Sequence, residues 1–291
     1  NYSYNSKILN KIIKKNKFYR FDGFAMDSRD IKKDNLFLAF KGKYNDGNKF
    51  ISKAIKKGAK YIISSKNTKK NKNRIIKVED PINFLNKFAY LKRESCNASI
   101  VAITGSTGKT SLKNILKILF ERFGNTYASP KSFNNHYGVP LSLANLNLNH
   151  KFGVFEVGMS KPGEINQLSK MIKPQLAIIT NIAEAHIENF KNIKGIAKAK
   201  SEIINNIQTN GKVILNRDDK FFKYLNAKAK QRNIKVISFG KSIKSDIQLV
   251  RTIQNRKMKK IIVRIHKEIL KLEIKNINVY NILASLATIT E

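Results

Sequence analysis

The stretch Gly105-Ser106-Thr107-Gly108-Lys109-Thr110 restricts what this chain can fold into more than any other. It follows a β-rich run, Ser99–Thr104, and opens an amphipathic segment with helical periodicity over residues 109–123. Two glycines let the backbone curl so that consecutive N–H groups point inward, and the positive end of the helix adds to their potential. Lys109 is placed to reach β- and γ-phosphates, and the Thr110 hydroxyl to ligate Mg²⁺. The loop is shorter than the general Gly-x-x-x-x-Gly-Lys-Ser/Thr form: the expected first glycine falls at Ile103, and Gly105 comes two residues later. An incidental turn accounts for the glycines, but not for strand, Lys-Thr and helix in that order. Residues 105–110 are therefore read as an ATP site.

Around that loop the chain alternates apolar runs with helical patterns. Residues 152–157, 175–180, 213–215 and 234–239 are short apolar runs with helical spacing between them, which predicts a mostly parallel sheet flanked by helices. Residues 246–274 alternate as antiparallel strands would, and a last helix begins near Val279. Before the loop, residues 36–40 and 61–64 read as strands around a helix at 50–57, and Phe84, Leu85, Phe88 and Leu91 recur as in a connecting helix. The fold class is thus α/β, with a small N-terminal α/β domain over residues 1–80 and a P-loop-type central domain over 81–291. A chain of 291 residues suits two domains.

Composition removes several function classes. Hydrophobic residues make up 42% and charged residues 26%, enough to bury a core, so a disordered chain is excluded. No run approaches the ~18–20 apolar residues of a membrane-spanning helix. The start lacks the apolar block of a signal peptide, so a cytoplasmic protein is expected. Cys96 is the only cysteine, which rules out an internal disulfide. Asn1 in place of Met suggests an excised or incomplete chain. The net charge of +37 ordinarily points to nucleic acid. Here the basic residues are spread along the whole length and are mostly Lys, so they read as solvated faces with no nucleic-acid partner.

Three further residues carry chemistry. Glu156 lies near the carboxyl end of an apolar strand, where ligands collect in parallel sheets; it either meets Mg²⁺ or reaches water at the edge. His186 follows the run 175–180 by a short loop, a place that suits a site residue as well as a structural one. Lys200 falls four after Ile196 and four before Ile204 in a helix expected over 193–207, so it is on the apolar face. It is either a snorkelling stem or a desolvated amine of lowered pKa that could react with CO₂ to give a carbamate.

Taken together these residues resemble the Mur ligase family, the ATP-dependent amino-acid ligases of peptidoglycan assembly. The short Gly-x-x-Gly-Lys-Thr loop is the family's own form. Further stretches match at Asp27-Ser28-Arg29, Phe40-Lys41-Gly42, Asp46-Gly47, Asn134-Asn135, Gly138-Val139-Pro140-Leu141, Glu156-Val157-Gly158, Pro162-Gly163-Glu164-Ile165, Thr180-Asn181-Ile182, Ala199-Lys200-Ser201-Glu202 and Asp218-Asp219. The Asn-Asn…Gly-Val-Pro and Pro-Gly-Glu-Ile stretches favour the branch that adds D-alanyl-D-alanine to UDP-N-acetylmuramoyl-tripeptide through an acyl phosphate.

The resemblance implies ATP held by residues 105–110, with Asn181 facing the adenine and Asn278 at the pocket's edge. It implies two Mg²⁺ ions, with Thr110, Glu156, His186 and a carbamylated Lys200 as ligands. Lys109, Glu156, His186 and Lys200 would form the catalytic group. Ser28 and Arg29 would lie in the uridine-nucleotide domain, and Asn134 and Asn135 near the muramyl substrate. A monomer without membrane insertion is expected. Where the family has Gly-x-His-Asn-Val before its last central helix, this chain has Lys275-Asn276-Ile277-Asn278-Val279. It also stops before the family's third domain, which points to truncation. Sibling ligases, those adding the third peptide residue or of folyl- or cyanophycin type, are the nearest alternative. A basic P-loop ATPase acting on nucleic acid is a more distant one.

Overall fold

The computed structural model describes residues 2–42, 45–66, 71–184, 190, 192–254 and 258–291. The chain divides into two compact units, Asn1–Asn97 with Pro140–Asn149, and Ala98–Val139 with His150–Glu291.

The first unit carries helix α1 (Tyr2–Ile13), strands β1 (Phe24–Ala25) and β2 (Leu36–Ala39), helix α2 (Ile51–Lys56), strands β3 (Tyr61–Ser64) and β4 (Ile75–Lys77), and helix α3 (Pro81–Glu94). The four strands form a parallel sheet in sequential order. Phe37, Ala39, Ile51, Ala54 and Ile62 pack α2 onto it. Burying each of the Phe and Ile side chains among them is worth about 1.5–3 kcal/mol. Helix α3 starts at Pro81 with Asp80 as its cap, accepting from the Ile82 amide at 2.7 Å. The boundary lies after α3, at Asn97, rather than at residue 80: α3 packs on α1, and Phe88 meets Phe24 at 4.5 Å between ring centroids. The segment 140–149 joins this unit because the Asn145 amide pairs with the Phe24 backbone in both directions, at 2.8 and 3.1 Å, as a neighbouring strand would.

The second unit contains β5 (Ser99–Thr104), α4 (Lys109–Phe120), β6 (Thr126–Ala128), the start of α5 (Gly138–Ala144), β7 (Phe152–Glu156), α6 (Glu164–Ile172), β8 (Leu176–Ile179), α7 (Ile193–Ser201), β9 (Lys212–Asn216), α8 (Phe222–Gln231), β10 (Lys235–Gly240), β11 (Ile247–Gln254), β12 (Lys259–Ile265), β13 (Glu268–Ile274) and α9 (Val279–Ile289). The sheet order is β13-β12-β11-β10-β9-β8-β5-β7-β6, parallel from β6 through β11 and antiparallel beyond. Ile100, Val101, Ala102 and Ile103 are all buried, which requires cover on both faces of β5. Helices α4 and α9 pack against each other over one face, around Ile103, Leu112, Leu116, Ile178 and Leu283. Alternation is confined to the start of β11 and the middle of β12; the rest of β11 and most of β13 are exposed.

The helix expected over 193–207 is α-helical only to Ser201 and tightens to a 3₁₀ turn over Glu202–Asn206. Strand β5 is the point where the chain order reverses, with β7 on one side and β8 on the other. A crevice at the carboxyl ends of these three strands follows from that topology.

Candidate active site

The loop leaving β5 is held by polar groups from β8 and α9. Gly105 has φ +147° and Gly108 φ +81°, and a Cβ would stand 1.9 Å from Thr180 Oγ1 at the first and 2.8 Å from Asn281 Oδ1 at the second. Only glycine permits so close an approach. Thr180 Oγ1 donates to the Thr107 carbonyl at 2.7 Å. Asn181 accepts from the Thr107 amide at 3.0 Å, donates to its hydroxyl at 2.9 Å, and accepts from the Ser106 amide at 2.9 Å. Asn281 Nδ2 donates to the Gly108 carbonyl at 3.3 Å. Helix α4 begins with no side-chain cap, so its first amides are left for another acceptor. The Lys109 ammonium donates to the Gly105 carbonyl at 2.9 Å; burial lowers its pKa, and Glu156 opposes that shift.

Glu156 ends β7 directly beside this loop and is 1% exposed. Its Oε2 accepts from Thr110 Oγ1 at 2.8 Å and its Oε1 from Asn134 Nδ2 at 2.7 Å. Lys113 Nζ lies 3.8 Å from Oε2 and donates to the Lys131 carbonyl. Burial lowers the Lys113 pKa while Glu156 draws it back up.

A hydroxyl and a carboxylate side by side are hard oxygen donors of the kind Mg²⁺ takes. Among the described residues no group of three or more His, Cys, Asp or Glu side chains could hold a metal. A cation held by Thr110 and Glu156 would need its other ligands from outside the described residues, as phosphate oxygens and water can supply for Mg²⁺. The residues present fit it. His186 lies outside the described residues.

Lys200 is 3% exposed on α7 and lines, with Gly105, Lys109, Asn134 and Glu164, a cavity of about 490 Å³. Burial first, and the like charge of Lys109 second, pull its pKa down to about 7. A substantial share of this amine is then neutral and nucleophilic at physiological pH. Neighbouring Glu202 caps α6 by accepting from the Gly163 and Asn166 amides at 2.9 and 3.0 Å, which ties α7 to the Pro-Gly-Glu turn. The Glu164 carboxylate accepts from the Ser160 and Lys161 amides at 2.5 and 3.0 Å.

The crevice thus brings together residues 105–110, Asn134, Glu156, Asn181 and Lys200. Asn135 also lines the cavity, and its side chain accepts from the Tyr137 and Gly138 amides at 3.1 and 2.9 Å. Asn278 caps α9 by accepting from the Tyr280 amide at 2.8 Å. Ser28 and Arg29 lie in the first unit, at a separate cavity of about 550 Å³ that Met26, Asp27 and Phe40 also line. Sequence reasoning missed Thr180, Asn281 and Lys113. The signal for Lys113 was weaker than that for Lys200: of its neighbours three and four positions away only Leu116, at i+3, is apolar, and those at i−4 and i+4 are Lys109 and Lys117.

Comparison with known proteins settles the family. Residues 103–289 match the Mur ligase middle domain, and residues 20–93 match the Mur ligase family, catalytic domain. The chain belongs to the Mur ligase family. UDP-N-acetylmuramoyl-tripeptide–D-alanyl-D-alanine ligase of Rickettsia prowazekii is 40% identical over 226 residues, covering 77% of this chain and 50% of that protein. The enzyme of the same name from Bacillus subtilis is 33% identical over 200 residues, covering 68% and 44%. Among solved structures, MurF from Acinetobacter baumannii superposes with a TM-score of 0.84 at 25% identity, over 98% of this chain and 64% of that one. MurF ligase from Thermotoga maritima in complex with ADP gives 0.77 at 29% identity, over 92% and 62%. This Mur ligase chain spans about half the length of the curated relatives it matches.

Proposed function

We propose that the chain serves ATP-dependent amide-bond formation in peptidoglycan precursor synthesis, joining D-alanyl-D-alanine to UDP-N-acetylmuramoyl-tripeptide. The observation that carries this reading is one cavity lined by the glycine loop, Lys109, Asn134 and the buried Lys200, with the Thr110–Glu156 pair joined to it through Asn134. The names of the relatives and the ADP complex of a structural neighbour support it.

In this reading the loop amides and Lys109 take the phosphates of ATP. The γ-phosphoryl passes to the terminal carboxylate of the peptide, giving an acyl phosphate and ADP. The amine of D-alanyl-D-alanine then attacks the acyl carbon, and phosphate leaves as the amine loses a proton. Lys109 moves from the Gly105 carbonyl to the transferring oxygens, where a fixed cation is worth most because water is excluded. Thr110 and Glu156 hold Mg²⁺, which when bound offsets the charge of ATP and peptide as they approach. Lys200, as its carbamate, supports a second ion: neutral amine and CO₂ combine with release of one proton. Asn134 and Asn135 face the muramyl peptide, and the first unit's cavity, with Ser28 and Arg29, takes the uridine nucleotide. An enzyme acting on such precursors works in the cytoplasm, as a monomer here. No helix among the described residues is long and apolar enough to cross a membrane.

Phosphate release measured with UDP-N-acetylmuramoyl-tripeptide, with and without D-alanyl-D-alanine, tests this. Release that needs both is the expected result. Release stimulated by nucleic acid and indifferent to both would reject it.

A further inference from the structure

Lys113 has no part in the reaction described above, yet it is among the largest fully enclosed side chains of the molecule. Its companions on the buried face of α4 are Leu112, Leu116 and Phe120, and an apolar residue there would avoid the desolvation of an ammonium. The ammonium is instead fixed between the Lys131 carbonyl and Glu156 Oε2, with both charged side chains 2% exposed. Lys113 does not line the cavity; Lys109, Asn134 and Lys200 do.

That placement has an electrostatic consequence. Around the loop, the ammonium groups of Lys109 and Lys113 both face the carboxylate of Glu156, while Glu164 is turned to two backbone amides. A free divalent cation meets net positive charge there. A polyphosphate bound at the loop reverses the sign. We propose that Lys113 is the built-in counter-cation of Glu156 and makes divalent-cation binding at Thr110 and Glu156 conditional on the nucleotide. Lys113 is thereby a positioning residue acting through Glu156, not a group that touches substrate. The inference rests on residues 105–110 being a triphosphate site.

Mn²⁺ is the probe, with free Mn²⁺ counted by electron paramagnetic resonance on the chain alone and with the non-hydrolysable analogue AMP-PNP. With the Mn²⁺ that AMP-PNP binds in protein-free solution subtracted, the wild-type chain is expected to bind Mn²⁺ weakly alone and more tightly with AMP-PNP. Lys113→Met is expected to bind Mn²⁺ alone on the order of tenfold more tightly than wild type, because one positive charge beside the carboxylate is gone. Lys113→Arg, which keeps the charge, is expected to show no such gain. Loss of packing alone lowers affinity and does not raise it, so the direction of change separates the two roles. A folded Lys113→Met protein without the gain overturns the proposal. So does a wild-type chain that holds Mn²⁺ as tightly alone as with AMP-PNP, a result that needs no variant to fold. Failure of AMP-PNP itself to bind wild type, read by calorimetry, overturns the triphosphate reading and the conditional binding with it. A missing gain in Lys113→Met overturns the counter-cation alone.

Discussion

Two cavities follow the carboxyl ends of parallel strands in this chain, and they handle charge in opposite ways. In the first unit, residues after β1 and β2 enclose about 550 Å³, and the charged pair at its rim, Asp27–Arg29, closes at 2.6 Å with side chains 33% and 78% exposed. In the second unit the cavity is of similar size, about 490 Å³, but Glu156, Lys113 and Lys200 are all buried at or beneath its wall. An exposed pair is worth about 0–1 kcal/mol and can be remade in water. Buried charges cost far more, and losing one partner of such a pair costs about 3–5 kcal/mol. On the proposed function, the difference is that between a surface that recognises a ligand and one that performs chemistry on it.

The largest effect that sharpens this contrast is expected at the loop. Lys109→Ala should lower phosphate release on the order of 10²–10⁴-fold, as loss of a preorganised contact to developing charge does. Near-normal turnover would remove Lys109 from the chemistry. Next comes Lys200→Ala, expected to slow turnover strongly and to recover in part when a small carboxylate such as formate is added. An unchanged rate would discard the carbamate. The first unit should respond differently: Arg29→Ala is expected to raise KM for the uridine-linked substrate severalfold with kcat nearly unchanged, and a loss confined to kcat would contradict its placement.

The smallest effect concerns a buried lysine that belongs to neither cavity. Lys92 is enclosed in α3, donates to Asn5 Oδ1 at 2.5 Å, and has its pKa pulled down to about 8, chiefly by burial. The unfolded chain binds this proton up to a pKa of about 10.4. Between pH 8 and that value the unfolded state therefore holds more protons, and stability rises with pH; below pH 8 the penalty is fully present. Lys92→Met should flatten the rise of the unfolding midpoint across that window. An identical slope in variant and wild type would show that Lys92 is not the group responsible.

The sequence made the strand–loop–helix core readable because three independent signals coincide within a dozen residues: a β-rich run, two glycines and an amphipathic face. Lys200 was readable because its neighbours at i−4 and i+4 are Ile196 and Ile204. Lys113 lacked that signal, because its neighbours at i−4 and i+4 are Lys109 and Lys117, which read as a solvated stripe. Helix α1 was not expected: its buried side is Asn5, Ser6, Ile8 and Leu9, half of it polar. The roles of Thr180 and Asn281 depend on strands and helices brought together across the sheet, which no local pattern encodes. The domain boundary moved to Asn97 because what α3 packs against, α1, lies more than sixty residues earlier in the chain.

One measurement bears on all of this most directly: a crystal structure of the chain grown with AMP-PNP and Mg²⁺. The expected density has the β- and γ-phosphates against the amides of residues 105–110, Lys109 released from the Gly105 carbonyl, and an ion at Thr110 and Glu156. Nucleotide bound elsewhere, with the loop still closed on Lys109, would contradict it.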